Sequence, residues 1–127
     1  MHISKPRSGA VLVRISGYDT GQFGDAPFEA IRGAIAESGP IELFCDLRAA
    51  GGAKTDVREA WTRCFNENRP GLRRVVILVE SKFVQTAVEV AKLFSRTGDL
   101  ITVSTDAGAF EQAVARGGSA APRSAAE

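Results

Sequence analysis

The feature that most constrains the fold is the uninterrupted apolar run at residues 75–79 (VVILV). A strand that is apolar at every position is typical of a sheet covered by helices on both faces, as in parallel α/β proteins. Two earlier apolar, β-branched runs, at residues 10–15 and 41–47, and a shorter later one at 100–103 have a similar character. The sequence therefore predicts four strands of one sheet, and residues 2–4 add a short edge strand before them.

Amphipathic segments separate these strands and predict four helices, because their apolar residues recur at helical spacing. The predicted helices lie between Asp25 and Gly39-Pro40, from Thr55 or Asp56 as N-cap to Arg69-Pro70-Gly71, over residues 82–96 before a C-cap at Gly98, and over residues 106–116. The order β(β)αβαβαβα predicts an α/β fold, with a single mostly parallel sheet of four to five strands and about four helices. One domain is expected over residues 1–116, followed by a disordered tail at 117–127 that lacks apolar periodicity.

The charge balance restricts the classes of partner. Sixteen basic and 15 acidic residues give a net charge of +1, which argues against nucleic acid because such a partner requires a strong positive field. No apolar run reaches the roughly 18–20 residues that a membrane-spanning helix needs, and the polar start of the chain lacks a signal-peptide core. A cytoplasmic protein is expected. Cys45 and Cys64 are predicted to be buried reduced thiols, and no metal site is expected.

The sequence offers little for catalysis. His2, the sole histidine, lies near the terminus, which disfavours a histidine-based triad. Asp46 ends a predicted strand and is expected to accept hydrogen bonds from the amides that follow it. Residues 48–54, with the adjacent Gly51 and Gly52, are predicted to form a loop after this strand. With Thr55 the segment ends in Lys-Thr before a helix, but Arg48 and Ala53 occupy both positions where a phosphate-binding loop needs glycine. We therefore expect neither an enzyme nor a cofactor.

Four stretches carry a resemblance to a known family. They are residues 11–19 (VLVRISGYD) before an amphipathic helix, the strand at 41–47, residues 72–79 (LRRVVILV), and the last helix with Ala109-Phe110. Together they resemble a STAS domain of the divergent SpoIIAA-like branch, the fold of bacterial anti-sigma-factor antagonists, over roughly residues 10–115. The resemblance implies a non-catalytic protein-interaction module in bacterial cytoplasmic regulation, whose partner is a regulatory protein such as a kinase or a phosphatase.

The chain departs from that family at its phosphorylation motif. The antagonists carry Asp-Ser-Ser/Thr-Gly at the start of the second helix, whereas this chain has Lys54, Thr55, Asp56 and Val57 there. Thr55 is the hydroxyl placed to serve as phosphoacceptor, since a phosphate near a helix N-terminus is favoured by the amides and the helix dipole. The alternative is that Thr55 is an ordinary N-cap.

The third predicted helix is apolar over more than half of its circumference, wider than the stripe of an ordinary surface helix. Val90 and Leu93 would point sideways and require a cover: a neighbouring helix, the other subunit of a homodimer, a target protein or an apolar ligand. The residues of this arc are Phe83, Val84, Ala87, Val88, Val90, Ala91, Leu93 and Phe94.

Two functional hypotheses follow. In the first, a partner protein docks on the loop at residues 51–56 and on the second and third helices. In the second, a small apolar, lipid-like ligand lies among Trp61, Phe65, Phe83 and Phe94. The candidate binding residues are Gly51, Gly52, Lys54, Asp56, Trp61, Phe65, Phe83, Val90, Leu93 and Phe94.

Overall fold

The computed structural model describes residues 1–93 and 98–116, and at residues 90, 91, 93 and 98 it describes the backbone alone. The described chain forms five strands and four α-helices, with short 3-10 turns at Arg69–Gly71 and Gly98–Leu100. In chain order they are β1 (His2–Ser4), β2 (Ala10–Asp19), α1 (Ala26–Ser38), β3 (Ile41–Ala53), α2 (Thr55–Glu67), β4 (Leu72–Leu78), α3 (Lys82–Leu93), β5 (Ile101–Ser104) and α4 (Ala107–Arg116).

The strands form one mixed sheet in the order β1-β2-β3-β4-β5. β1 is antiparallel to β2, and every other neighbouring pair is parallel. A helix connects each parallel strand to the next, as parallel pairing requires. The prediction of a single mostly parallel sheet with about four helices is therefore confirmed.

One face of the sheet carries the larger part of the core. Alternate residues of the four parallel strands point to this face, where α1, α2 and α3 cover them. Phe28 and Ile31 of α1, Phe65 of α2 and Val84 of α3 supply the helical side of the core. The strand residues of this face include Val11, Val13, Ile15, Leu43, Cys45, Val75, Ile77 and Ile101.

The opposite face is covered by α4 and by charged side chains. Phe110 and Val114 of α4 pack on Phe44 and its neighbours. The Phe44 and Phe110 rings meet edge-to-face, with their centroids 5.9 Å apart. Beside them the buried Glu42 accepts hydrogen bonds from Arg7 and from Arg74, the latter at 2.8 Å. Although burial opposes ionisation, these two guanidinium groups hold the pKa of Glu42 below its ordinary value.

β2 and β3 are longer than the sequence predicted. The apolar run that ends at Ile15 continues as a strand to Asp19, and the loop predicted at residues 48–54 is wrong because β3 continues to Ala53. The two extensions pair with each other, Ser16 with Ala49 and Asp19 with Ala53. One register shift before Ser16 and another between Gly17 and Tyr18 accommodate the extra residues of β3. Mutual backbone pairing thus outweighs the turn preference of adjacent glycines.

The start of α2 also differs from its prediction. Lys54 occupies the N-cap position without a side-chain cap, so neither Thr55 nor Asp56 is the N-cap. Both belong to the first helical turn. The strand extension delivers the chain into the helix directly, since the Lys54 N–H donates to the Asp19 carbonyl at 2.9 Å.

Parts of two predictions fall outside the described residues. The third helix is described to Leu93, so its predicted end at residues 94–96 is not covered, and the tail at 117–127 is likewise outside. Gly98, predicted as a C-cap, begins a 3-10 turn. Within the described ranges, no helix combines the length and apolar character needed to cross a bilayer.

Candidate apolar ligand pocket

A pocket of about 170 Å³ lies between the helix-covered face of the sheet and helices α2 and α3. Its floor is built by the parallel strands, with Ile15, Cys45, Ile77 and Ile101 pointing upward from four neighbouring strands. The lining surface is almost wholly apolar. For scale, an apolar cavity of about 150 Å³ stays dry and accommodates benzene. This pocket therefore has room for an apolar group about the size of benzene.

Helix α2 forms an aromatic wall. Trp61 and Phe65 are four residues apart and therefore share one face of the helix, and both line the pocket. Their rings meet edge-to-face with centroids 5.8 Å apart. The Phe28 ring of α1 also packs edge-to-face on Trp61, with the two centroids 5.0 Å apart. Phe65 is buried and Trp61 partly buried, so packing from α1 fixes the aromatic wall in place.

Helix α3 forms the opposite wall with Val84, Ala87 and Val88. Val84 is buried in the core, whereas Phe83 also lines the pocket but is 74% exposed. Exposing so much of a phenylalanine side chain to water is unfavourable. Because Phe83 lines the pocket and is also largely exposed, it lies at the mouth of the pocket. The side chains of Val90 and Leu93, and the whole of Phe94, lie outside the described residues, so their predicted roles stay predictions.

The strand extensions close a third side. Leu47, Ala50, Gly52 and Ala53 of β3 line the pocket. Gly52 has a φ of +125°, and a Cβ there would lie 3.3 Å from the ring of Tyr18. A residue with a side chain at position 52 would therefore be strained and would displace the exposed Tyr18.

Four polar residues line the pocket: Asp19, Arg58, Thr62 and Lys92. The buried Asp19 accepts the Gly21 N–H at 2.9 Å. Arg58 donates to the Thr55 hydroxyl at 3.0 Å, and the Lys92 ammonium lies 3.5 Å from Glu89 one turn back on α3. The pocket thus has an apolar interior with two cationic side chains, one on each helical wall.

The two cysteines are free and buried, as predicted. Cys45 lies in the pocket floor, where burial raises the pKa of its thiol to about 12. Burial also raises the pKa of Cys64. Since the thiolate is the nucleophile, neither side chain is prepared for covalent chemistry at neutral pH.

Asp46 lies on the other face of the sheet and accepts hydrogen bonds from nearby residues of the same sheet. Its carboxylate accepts the Arg48 N–H at 3.1 Å, as expected for an amide that follows it, and the Arg48 Nη2 at 2.8 Å. Arg14 of the neighbouring strand adds an ion pair at 3.3 Å. The hydrogen bonds from Arg48 hold the pKa of Asp46 below its usual range, so this carboxylate stays ionised and paired.

The structure brings together only part of the predicted site. Trp61, Phe65, Phe83 and Gly52 line one pocket, whereas Phe94, the fourth aromatic of the ligand hypothesis, lies outside the described residues. Gly51, Lys54, Thr55 and Asp56 are not among its lining residues. Gly51 belongs to β3, and Thr55 and Asp56 belong to the first turn of α2, so the predicted loop at 51–56 is not a loop.

Asp19, Arg58 and Lys92 are pocket residues that the sequence analysis missed. The spacing carried a partial signal, because Arg58 precedes Trp61 and Thr62 by three and four residues, and Lys92 follows Val88 by four. That spacing places each cation on the apolar face of its helix. Nothing in the sequence showed that the two faces meet.

No family model matches the chain, and no curated protein matches it. A solved structure is similar: an uncharacterized protein of the DUF3478 family, with a SpoIIAA-like fold, from Shewanella loihica PV-4. The two superpose with a TM-score of 0.68 at 15% identity, over 89% of this chain and 92% of the other. This chain has a SpoIIAA-like fold.

The predicted resemblance to the SpoIIAA-like branch of STAS domains is thereby confirmed for the fold. At 15% identity the likeness extends to the SpoIIAA-like architecture alone, and function has to be argued from the pocket. In this SpoIIAA-like fold the pocket lies on the helix-covered face of the sheet, above the later residues of β2, β3 and β4 and the first residue of β5.

Proposed function

We propose that the protein is a non-catalytic binding module whose pocket between α2 and α3 accommodates a small apolar ligand. The observation that carries the proposal is an apolar cavity of about 170 Å³ lined by Trp61, Phe65 and Val84 and opening beside the exposed Phe83. Pockets for small molecules are concave, mostly apolar and provided with few polar groups. The protonated thiol of Cys45 and the paired carboxylate of Asp46 support a binding role in preference to catalysis.

The expected affinity follows from the volume. A pocket slightly larger than the space benzene fills accepts a tail of about six carbon atoms. At about 0.8 kcal/mol per buried methylene this transfer contributes about 5 kcal/mol. That corresponds to a Kd on the order of 0.1–1 mM for a neutral straight-chain ligand. Tighter binding requires contacts beyond the tail.

Trp61, the single tryptophan of the chain, provides the assay because it forms part of the pocket wall. Titration with 1-octanol is expected to change its fluorescence saturably. The matched titration with 1-propanol is expected to give no saturation in that range, because a three-carbon tail buries half the apolar surface. A linear response to both alcohols would contradict the proposal, since it would indicate a solvent effect without a site.

The second candidate function is docking of a regulatory protein in the bacterial cytoplasm, switched at Thr55. It is favoured by the exposure of Lys54, Thr55 and Asp56 at the start of α2, next to the half-exposed Tyr18. A phosphate on Thr55 would lie at a helix N-terminus within reach of Arg58, which already donates to its hydroxyl. A kinase or phosphatase partner, or a second copy of the chain, would meet this surface.

Intact-mass and fragment-ion spectra of the protein isolated from its native cells test this second function. A phosphate located on Thr55 supports it, and complete absence of phosphate at that residue under several growth conditions contradicts the switch. In the same protein, Thr55→Glu is expected to leave the melting temperature within about 1–2 °C, because the exposed acidic group is compatible with the helix dipole.

A further inference from the structure

We infer that the pocket selects an anionic amphiphile: a single negatively charged head, such as a carboxylate, on an unbranched apolar tail of about six to eight carbon atoms. This inference rests on the proposed function, since it names the ligand class of the same pocket. It is carried by the position of Arg58 and Lys92, which line the pocket from opposite helices.

Both cations line an almost wholly apolar pocket and yet keep contact with solvent. Arg58 is an exposed residue that nevertheless lines the cavity, and the side chain of Lys92 is only 27% exposed. Long basic side chains of this kind cover apolar surface with their methylene groups and hold the charged group in water. A tail bound among Trp61, Phe65 and Val88 therefore emerges between two positive charges.

These charges are available to a ligand. The Arg58 guanidinium donates to the neutral Thr55 hydroxyl, and no carboxylate of the described residues forms an ion pair with it. Lys92 faces Glu89 at 3.5 Å, longer than the 2.7–2.9 Å typical of a charge-assisted hydrogen bond. Both side chains thus retain donors for a carboxylate head.

Asp19 is the acidic group that also lines the pocket, and its charge would oppose an anion. It is 4% exposed, and its Oδ1 accepts the Gly21 N–H. That hydrogen bond directs one carboxylate oxygen to the backbone at the end of β2. The two cations are more exposed than Asp19 and lie on the helical walls, so the solvent side of the pocket presents positive charge.

The test compares ligands of equal tail and different head by Trp61 fluorescence: octanoate, 1-octanol and octylamine at neutral pH and low salt. We expect octanoate to bind about 5- to 10-fold more tightly than 1-octanol, and octylamine more weakly than both. This ratio is smaller than the roughly 10-fold or more that a charge-assisted hydrogen bond gives, because the head group at the mouth stays solvated. The preference for octanoate is expected to shrink as salt is raised, since the mouth is solvated.

Substitutions locate the head-group site. Arg58→Gln combined with Lys92→Gln is expected to remove the preference, so that the ratio of the affinities for octanoate and 1-octanol falls to about 1. Arg58→Lys alone is expected to retain most of the preference because the charge remains. Arg63→Gln is the matched control, because Arg63 is an exposed arginine of the same helix that is not among the lining residues.

Each outcome bears on a separate claim. Equal affinity for octanoate and 1-octanol, or an unchanged preference in the double variant, overturns the inference and leaves the apolar pocket standing. Tighter binding of octylamine also overturns it and assigns the head-group contact to Asp19. No saturable binding of any of the three, in a protein that melts normally, overturns the proposed function itself.

Discussion

Filling the pocket from α3 should raise the stability of the protein and weaken ligand binding at the same time, a combination that ordinary core substitutions do not give. Ala87 lines the cavity and is only partly buried. Ala87→Leu adds three carbon atoms, which would contribute about 2.4 kcal/mol if fully buried and about 1 kcal/mol in a pocket that opens to solvent. For a domain of this size that gain raises the melting temperature by about 3–5 °C.

The same substitution occupies the space of about three methylenes of the tail. The affinity for 1-octanol or octanoate is therefore expected to fall at least 10-fold in the Trp61 titration. Differential scanning calorimetry gives the first quantity and the fluorescence titration the second. Ala36→Leu, the same exchange at an exposed site on α1, is the control and should change neither. A variant that melts at a lower temperature and still binds would refute the cavity described here.

Three further predictions concern the rest of the fold. Since the native pKa of Glu42 lies below its ordinary value of 4.5, the stability it provides is present above that pH and is lost as the pH falls through the native pKa. Glu42→Gln should cost about 2–3 kcal/mol at pH 7 and flatten the fall in melting temperature between pH 5 and 3; an unchanged pH profile would contradict this role. Gly71→Ala should destabilise by about 1–3 kcal/mol in urea denaturation, because its Cβ would lie 2.6 Å from Ile35 Cγ2. Gly71→Ala should cost less free energy of unfolding when Ile35 is already alanine, because the clash is then absent. If the losses caused by the two substitutions simply add, the clash is contradicted. At pH 7.5 the Cys45 thiol, with a pKa of about 12, should react with a small disulfide reagent far more slowly than an exposed cysteine, because little thiolate forms; labelling as fast as that of a free cysteine would contradict the raised pKa.

The architecture was accessible from the sequence because its strongest signals are local. The apolar run at 75–79 and the helical stripe of Trp61 and Phe65 each specify an element and its buried face without reference to the remainder of the chain. The prediction failed where partner strands decide the outcome. Gly51 and Gly52 favour a turn in isolation, but pairing with residues 16–19 of β2 draws them into the sheet.

The pocket was only half predictable for a related reason. Aromatic residues on an amphipathic helix indicate a buried surface, and Trp61, Phe65 and Phe83 were named on that ground. The contribution of Arg58 and Lys92 depends on the distance between two helices that are not neighbours in sequence, and no single-helix pattern encodes it. Asp19 was missed because β2 was expected to end four residues before it.

The arginine at position 7 links separate parts of the domain. Its guanidinium donates to the carbonyls of Ala113 and Val114 at the end of α4 as well as to Glu42 near the start of β3. The segment before β2 and helix α4 are therefore held together where β2 and β3 begin, at the opposite ends of these two strands from the pocket-lining Asp19 and Ala53.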